Sequence, residues 1–328
     1  MKKIIILLAI GGMISIALSC EKEQVIEPKK VVDLSDIKLS GPEEYVEYTS
    51  AKVFGKISVN HHPERITEVR VFYGTARDEL SKNVKAAYDT ENGYSADIPS
   101  LVDGTQYFYR VDIMSGSTAK KGDVLDFVTF PMGPVDLDLP SGNKWMSHNV
   151  GAKIPTEPGG HYAWAELTEK TQYSWSSYWY CNGAYNKLTK YTYKSSYSYD
   201  GTLDNLIELQ PEDDVARQVL GNHYSIPSYK DWQELMEYCV VTKAKINGCT
   251  GCKVSSKKDM NNNRKFIFLP GQSGYYNGTN CNSLSSYYWS STLSSANNDV
   301  ALNVRVYTDI YNDHGSRYYG ESVRAVYK

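Results

Sequence analysis

Cys249 and Cys252 have the spacing that most invites chemistry, since two thiols three residues apart can form a redox couple, half a zinc site or a short bridge. The redox reading needs a strand-to-helix setting and the zinc reading a second pair, and Cys249-Thr250-Gly251-Cys252 has neither. The spacing therefore predicts a local structural bridge or two thiols in a turn. His148, His161, His223 and His314 are scattered, none at ligand spacing from another His or a Cys, so no metal or cofactor is expected. Ser, His and Asp are present without a nucleophile elbow, and no catalytic residue is assigned. Glu212, Asp213 and Asp214 could offer oxygens to calcium, but adjacent acids on a helix point in different directions. They read better as the acidic first turn of a helix that Pro211 opens and Val215–Leu220 continues, with Asp214 held by a buried partner.

One further thiol has a chemistry of its own. Lys2 and Lys3 precede an apolar run from Ile4 to Leu18, broken by Gly11 and Gly12, which is short for a membrane span and shaped like a secretory signal. Ala17-Leu18-Ser19-Cys20 resembles the lipobox of bacterial lipoproteins, in which the cysteine thiol is diacylated and becomes the mature N-terminus. The alternative is a plain cleaved signal with an incidental cysteine. The resemblance implies a signal peptide at 1–19, lipidation at Cys20 and a membrane partner reached through several acyl chains, which anchor stably where one would not. Glu21-Lys22-Glu23 resembles the acidic tag that routes some lipoproteins outward, so the expected location is the outer membrane with the protein on the cell surface. Residues 20–39, rich in Glu, Lys, Val and Pro without a lasting period, read as a tether.

The net charge of −3, with 22% charged residues, gives no basic excess and excludes nucleic acid as the expected partner. Tyrosine is the anomaly, 28 Tyr against 7 Phe. Tyr supplies apolar area with a polar tip, which suits wet binding surfaces, although half-exposed strands favour it too. Five cysteines follow Cys20, an odd number that leaves one unpaired or paired between chains.

The elements that would position a site fall into two blocks. From 40 to 131 the pattern is β throughout, with alternating runs at 51–59, 68–73, 106–113 and 124–130. Leu101-Val102-Asp103-Gly104-Thr105-Gln106-Tyr107 looks like the tyrosine corner of fibronectin type III domains, which the whole block resembles. The expectation is an all-β sandwich, fibronectin type III-like, serving as a spacer, with Tyr107, Tyr109 and Val111 facing the core. Pro131-Met132-Gly133-Pro134 is a stiff break, read as the split between two independently folding domains.

From 135 to 328 a series of ordered motifs appears: Val135-Asp136-Leu137-Asp138-Leu139, Lys144-Trp145, Asn149-Val150-Gly151-Ala152 and His161-Tyr162-Ala163-Trp164-Ala165-Glu166. Leu209-Gln210-Pro211, Ile226-Pro227-Ser228, Phe268-Leu269-Pro270, Tyr288-Trp289-Ser290-Ser291 and Gly320-Glu321-Ser322-Val323-Arg324 complete it. This block resembles the Fibrobacter succinogenes major paralogous domain, and the resemblance implies an α+β C-type-lectin-like domain related to the formylglycine-generating enzymes. The chain departs from that pattern at Gly221–Ser225, which lacks the usual Trp and Arg, and at Glu321, where Phe is usual. The cysteine pair of the related enzymes has no counterpart that aligns. Locally, Ser228 with Asp231 predicts a capped helix burying Trp232, Leu235, Met236 and Cys239, and 265–269 and 300–307 read as strands.

Function is expected in binding rather than catalysis: a lipid-anchored head that takes a glycan or protein ligand. The alternatives are a structural or pilus-tip-type envelope subunit and, further off, an enzyme of the formylglycine-generating type. The candidate binding residues lie in two late polar aromatic loops, Tyr275, Tyr276 and Asn277 in one, and Tyr307, Asp309, Tyr311, Asn312 and Asp313 in the other. Exposed Tyr beside Asn and Asp suits stacking plus hydrogen bonding, though ordinary hairpin tips use the same residues.

Overall fold

Alternating apolar and polar side chains write the first lobe as strands, each showing one face to a core and the other to water. The computed structural model describes residues 33–60, 62–259, 264–271, 275–276, 279–280 and 285–328, the pairs 275–276 and 279–280 by their backbone alone. Cys20, the signal segment and the tether through residue 32 lie outside the described residues.

The chain forms β1 (Ile37–Leu39), β2 (Glu43–Val46), β3 (Ala51–Gly55), β4 (Ile57–Val59), β5 (Glu68–Gly74) and β6 (Lys82–Lys85). Next come β7 (Ala87–Asp89), β8 (Gly93–Ile98), β9 (Gln106–Ser115), β10 (Thr118–Lys121) and β11 (Leu125–Val128). One sheet runs β2-β3-β8-β7 and the other β10-β9-β5-β6, with β11 also on β9. Buried Val53, Val69, Val71, Ile98, Tyr109 and Val111 fill the space between them, giving a β-sandwich. The Tyr107 hydroxyl accepts the Val102 N–H at 2.9 Å, closing the corner the sequence pointed to.

Two boundaries differ from the sequence reading. Leu34 and Ile37 are buried and β1 pairs with β4, so the tether stops short of residue 39; a three-residue strand leaves too little periodicity to read. The break at 131–134 separates lobes that share a core, and residues 34–328 form one compact unit. Phe130 packs with Phe266 and Phe268, flanked by Tyr48, Val128, Ala244, Ile246 and Cys249. The Tyr48 hydroxyl lies 2.8 Å from His148 Nδ1.

The second lobe contains β12 (Pro134–Val135), β13 (Lys144–Met146), β14 (His161–Tyr162), α1 (Val215–Leu220), β15 (Tyr224–Ser225) and α2 (Tyr229–Tyr238). There follow β16 (Cys239–Ile246), β17 (Cys249–Ser256), β18 (Phe266–Pro270), β19 (Tyr275–Tyr276), β20 (Thr279–Asn280) and β21 (Ser286–Leu293). The last are β22 (Val300–Val306), β23 (Ile310–Ser316), β24 (Glu321–Ser322) and β25 (Val326–Tyr327). The sheets run β12-β13-β25-β15, β14-β24-β21-β22-β23 and β16-β17-β18, so strand dominates here too. Ser228 and Asp231 form a full capping box on α2. That helix seats Trp232 against Trp145 at 4.6 Å between ring centroids, in a core with Leu235, Tyr288 and Val304.

Two arginines are fully buried in this lobe without a carboxylate among their hydrogen-bond acceptors in the described residues. Arg324 donates to Asn149 Oδ1 and to the carbonyls of Met146, Ser147 and Phe268, and burial holds its guanidinium down at about 10. Arg317 donates to the Tyr178 hydroxyl and to the carbonyls of Lys190 and Asn298, with Trp164, Tyr178 and Tyr191 rings 5.1, 5.2 and 5.7 Å away. Carbonyls and ring faces here do what a counter-ion would do elsewhere, tying distant loops to one charge.

Candidate functional site

β22 and β23 are joined by a tight turn in which Tyr307 N–H donates to the Asp309 carbonyl at 3.0 Å and Asp309 Oδ1 accepts from Ile310 N–H at 2.8 Å. Tyr311, Asn312 and Asp313 therefore lie on a strand, β23, and not in a loop; it is the edge of its sheet. Cross-strand register sets Tyr287, Arg305 and Tyr311 in one row, and the Arg305 guanidinium lies 5.4 Å from the Tyr311 ring. Asp313 stands on the same face, 3.9 Å from Arg305, while Asn312 alternates to the other. Tyr311 is 42% exposed, Asp309 is exposed, and Tyr307 is half-buried. The structure thus gathers Tyr311 and Asp313 and leaves Tyr307, Asp309 and Asn312 apart from them. β19 and β20 pair as a short hairpin, but the side chains of Tyr275 and Tyr276, and Asn277 altogether, lie outside the described residues.

Behind that row lies an acid the function reading did not use. Glu321 is buried, and Asn303 Nδ2 donates to both its oxygens at 2.7 and 2.9 Å. Burial, with Asp313 nearby adding to it, holds the carboxyl well above the usual range.

A second surface escaped the sequence reading. Residues 173–199 carry eight of the 28 Tyr and two of the six Trp. Some of these rings are core: Tyr173, Tyr178 and Tyr191 are buried. Others point out, with Trp179, Tyr185 and Tyr199 at 49, 52 and 55% exposure. The backbone beneath them is pinned. Leu188 and Tyr197–Tyr199 exchange backbone bonds at 2.7 and 2.8 Å, and Thr189 N–H donates to the Tyr180 carbonyl at 3.0 Å. The buried Glu166 carboxylate accepts the Trp179 N–H at 2.6 Å and pairs with Lys170 at 2.5 Å. Tyr185 meets Tyr197 edge to face at 6.2 Å, and exposed Asn182, Asn186, Ser195 and Ser196 adjoin in sequence. Aromatic density was the available signal, but density alone does not separate buried rings from exposed ones.

The acidic trio is occupied by the fold. Asp213 accepts from Tyr180 at 2.5 Å, from the Tyr191 hydroxyl and from Lys190 at 2.6 Å. Asp214 caps α1 through Ala216 and Arg217 and also accepts Ile226 N–H at 2.9 Å, the buried partner expected of it. Cys249 and Cys252 are free thiols on β17, not a bridge. An extended strand sends residues three apart to opposite faces, which separates the sulfurs. Between them Gly251 is needed for packing, since a Cβ there would lie 2.2 Å from the Leu269 carbonyl oxygen. Burial pushes the Cys239 and Cys252 thiols up to about 12, away from reactivity. Burial likewise lowers His148 to about 4, so it is neutral where it meets Tyr48.

No protein-family model matches the chain, and no curated protein matches it. Among solved structures it is similar to the sixth fibronectin type III domain of human fibronectin type III domain containing protein 3, with 22% identity over 29% of this chain and 86% of that one, at a TM-score of 0.24. A fibronectin type III domain derived from human KIAA0970 protein is 12% identical over 31% and 77% of the two chains, at 0.23. The sensor domain of the anti-sigma factor RsgI4 of Pseudobacteroides cellulosolvens is 18% identical over 30% and 100%, also at 0.23.

Proposed function

We propose that this protein is an envelope-anchored binding protein. A lipid on Cys20 holds it to the outer membrane, the fibronectin type III-like lobe spaces it outward, and the C-terminal lobe, read as C-type-lectin-like, takes a glycan or protein ligand. The observation that carries the reading is the set of exposed rings, Trp179, Tyr185 and Tyr199, on a hydrogen-bonded backbone over buried tyrosines. Half-exposed aromatic rings add little to a fold but contribute strongly to binding once desolvated, and a pinned backbone spares the ordering cost. The Tyr311–Arg305–Asp313 face of β23 is a second, smaller surface of the same kind.

The test is a glycan array probed with the full chain in detergent. Saturable retention on a defined subset, lost on Trp179→Ala, supports the reading. Retention that Trp179→Ala leaves unchanged moves the binding surface elsewhere.

A further inference from the structure

One buried acid stands beneath the exposed ring of Trp179, and the chain spends a strained turn to put it there. Ala163 and Trp164 are core, and Glu166 N–H closes the turn on the Ala163 carbonyl at 3.0 Å. Ala165, inside that turn, sits at φ 70°, left-handed backbone that a residue with a side chain rarely adopts. The Glu166 side chain that follows is 0% exposed. Both its oxygens serve one short segment. Oε1 accepts Trp179 N–H at 2.6 Å, and Oε2 pairs with Lys170 Nζ at 2.5 Å. The same ammonium donates to the Ser177 carbonyl. Between them Tyr178 is buried, its hydroxyl on the Trp164 carbonyl at 2.8 Å. Residues 177, 178 and 179 are thus each tied to the core.

The same pair sets the ring. Lys170 Nζ stands over the Trp179 indole, 5.7 Å from its centroid, on a side chain only 13% exposed. A cation on one face closes that face to a ligand. Trp179 is 49% exposed, which leaves the opposite face to solvent. Because Lys170 and Glu166 fill the space under the indole, the surface is a platform and not a pocket. A protein partner's anchoring side chain needs a pocket, whereas the C–H face of a sugar ring lies flat on an aromatic one. Charge narrows the sugar. From Tyr162 to Asp204 the four Lys, at 170, 187, 190 and 194, are matched by Glu166, Glu169, Asp200 and Asp204. Nearest the ring, Glu166 cancels Lys170, and Glu169 is turned onto the His161 N–H at 2.9 Å.

We propose that Glu166 and Lys170 are positioning residues that hold Trp179 with one face open, and that this face stacks on an uncharged glycan. The proposal rests on the binding reading above and names the ligand class of the same surface.

The probe is the glycan array, with the full chain carrying fluorotryptophan so that the same samples give fluorine NMR spectra. Trp179→Phe identifies the Trp179 resonance. The double variant Glu166→Gln, Lys170→Met removes both buried charges together and keeps their packing, so the melting temperature and the other Trp resonances should stay near the parent's. In it the Trp179 resonance should shift and retention should weaken at least ~tenfold. Lys170→Met alone should do the same, and Lys170→Arg, which keeps a cation over the ring, should restore retention toward the parent's. The parent's retained glycans should be uncharged, with retention unchanged from ~50 mM to ~500 mM salt. Retention on acidic glycans alone, or an unmoved Trp179 resonance in both Met-bearing variants, overturns the proposal. A parent retained nowhere on the array overturns the binding reading beneath it as well. A parent and a double variant retained equally overturn only the positioning role.

Discussion

A phenol anchored at both ends, ring in the sandwich core and hydroxyl on the Val102 N–H, makes Tyr107 a clasp between strand and loop. Tyr107→Phe removes the hydroxyl and leaves a half-buried N–H unpaired, so chemical denaturation should show a loss of about 1 kcal/mol; an unchanged midpoint contradicts the clasp. Glu321 offers a pH test. Its folded carboxyl keeps a proton that the unfolded chain releases near the ordinary value of 4.5. Its contribution is therefore whole below that pH and falls as pH rises toward the folded pKa. Glu321→Gln, neutral throughout, should gain on the parent in melting temperature from pH 5 to pH 8; a constant difference across that range contradicts a protonated Glu321. Tyr107 was legible because its motif is local. The partners of Glu321, Asp213 and Arg317 come from distant segments, and a linear pattern of 3.6 or 2 residues carries no trace of them.

At the scale of elements, local chemistry was read well where it closed on itself. Ser228 and Asp231 make the capping box, and Trp232 and Leu235 fall inward as helical spacing requires. The β16–β17 hairpin was missed although its turn, Asn247-Gly248, is a strong hairpin signal and both residues take the positive φ that a two-residue turn needs. Cys249 and Cys252, spaced like a chemical pair, are residues of its second strand. Buried and exposed rings give the sharpest contrast between elements. Trp289 is fully buried and its indole N–H donates to the Tyr162 carbonyl at 2.7 Å. Trp289→Ala should destabilise by ~3 kcal/mol or more, read by thermal or denaturant unfolding. A loss under ~1 kcal/mol means that its site collapses around the deletion.

For the whole molecule, the Pro- and Gly-bearing stretch at 131–134 coincides with a change of sheet, but the contacts across it were not legible. Phe130, Phe266 and Phe268 meet at the joint where Asn247 also bonds β2, a contact across 201 residues of sequence. The lobes therefore hold their surfaces in a fixed relation to each other. Anchoring itself is tested by Cys20→Ala, which should abolish acyl labelling and release the protein from the membrane fraction; continued labelling contradicts lipidation. The claim on which the account rests is that the exposed rings bind and the buried rings fold. The direct measurement takes the parent and the triple variant Trp179→Ala, Tyr185→Ala, Tyr199→Ala side by side, recording retention on the glycan array and the melting temperature of the same samples. The account predicts that the triple variant loses retention while its melting temperature stays near the parent's. A triple variant that unfolds as Trp289→Ala does, or that keeps full retention, contradicts it.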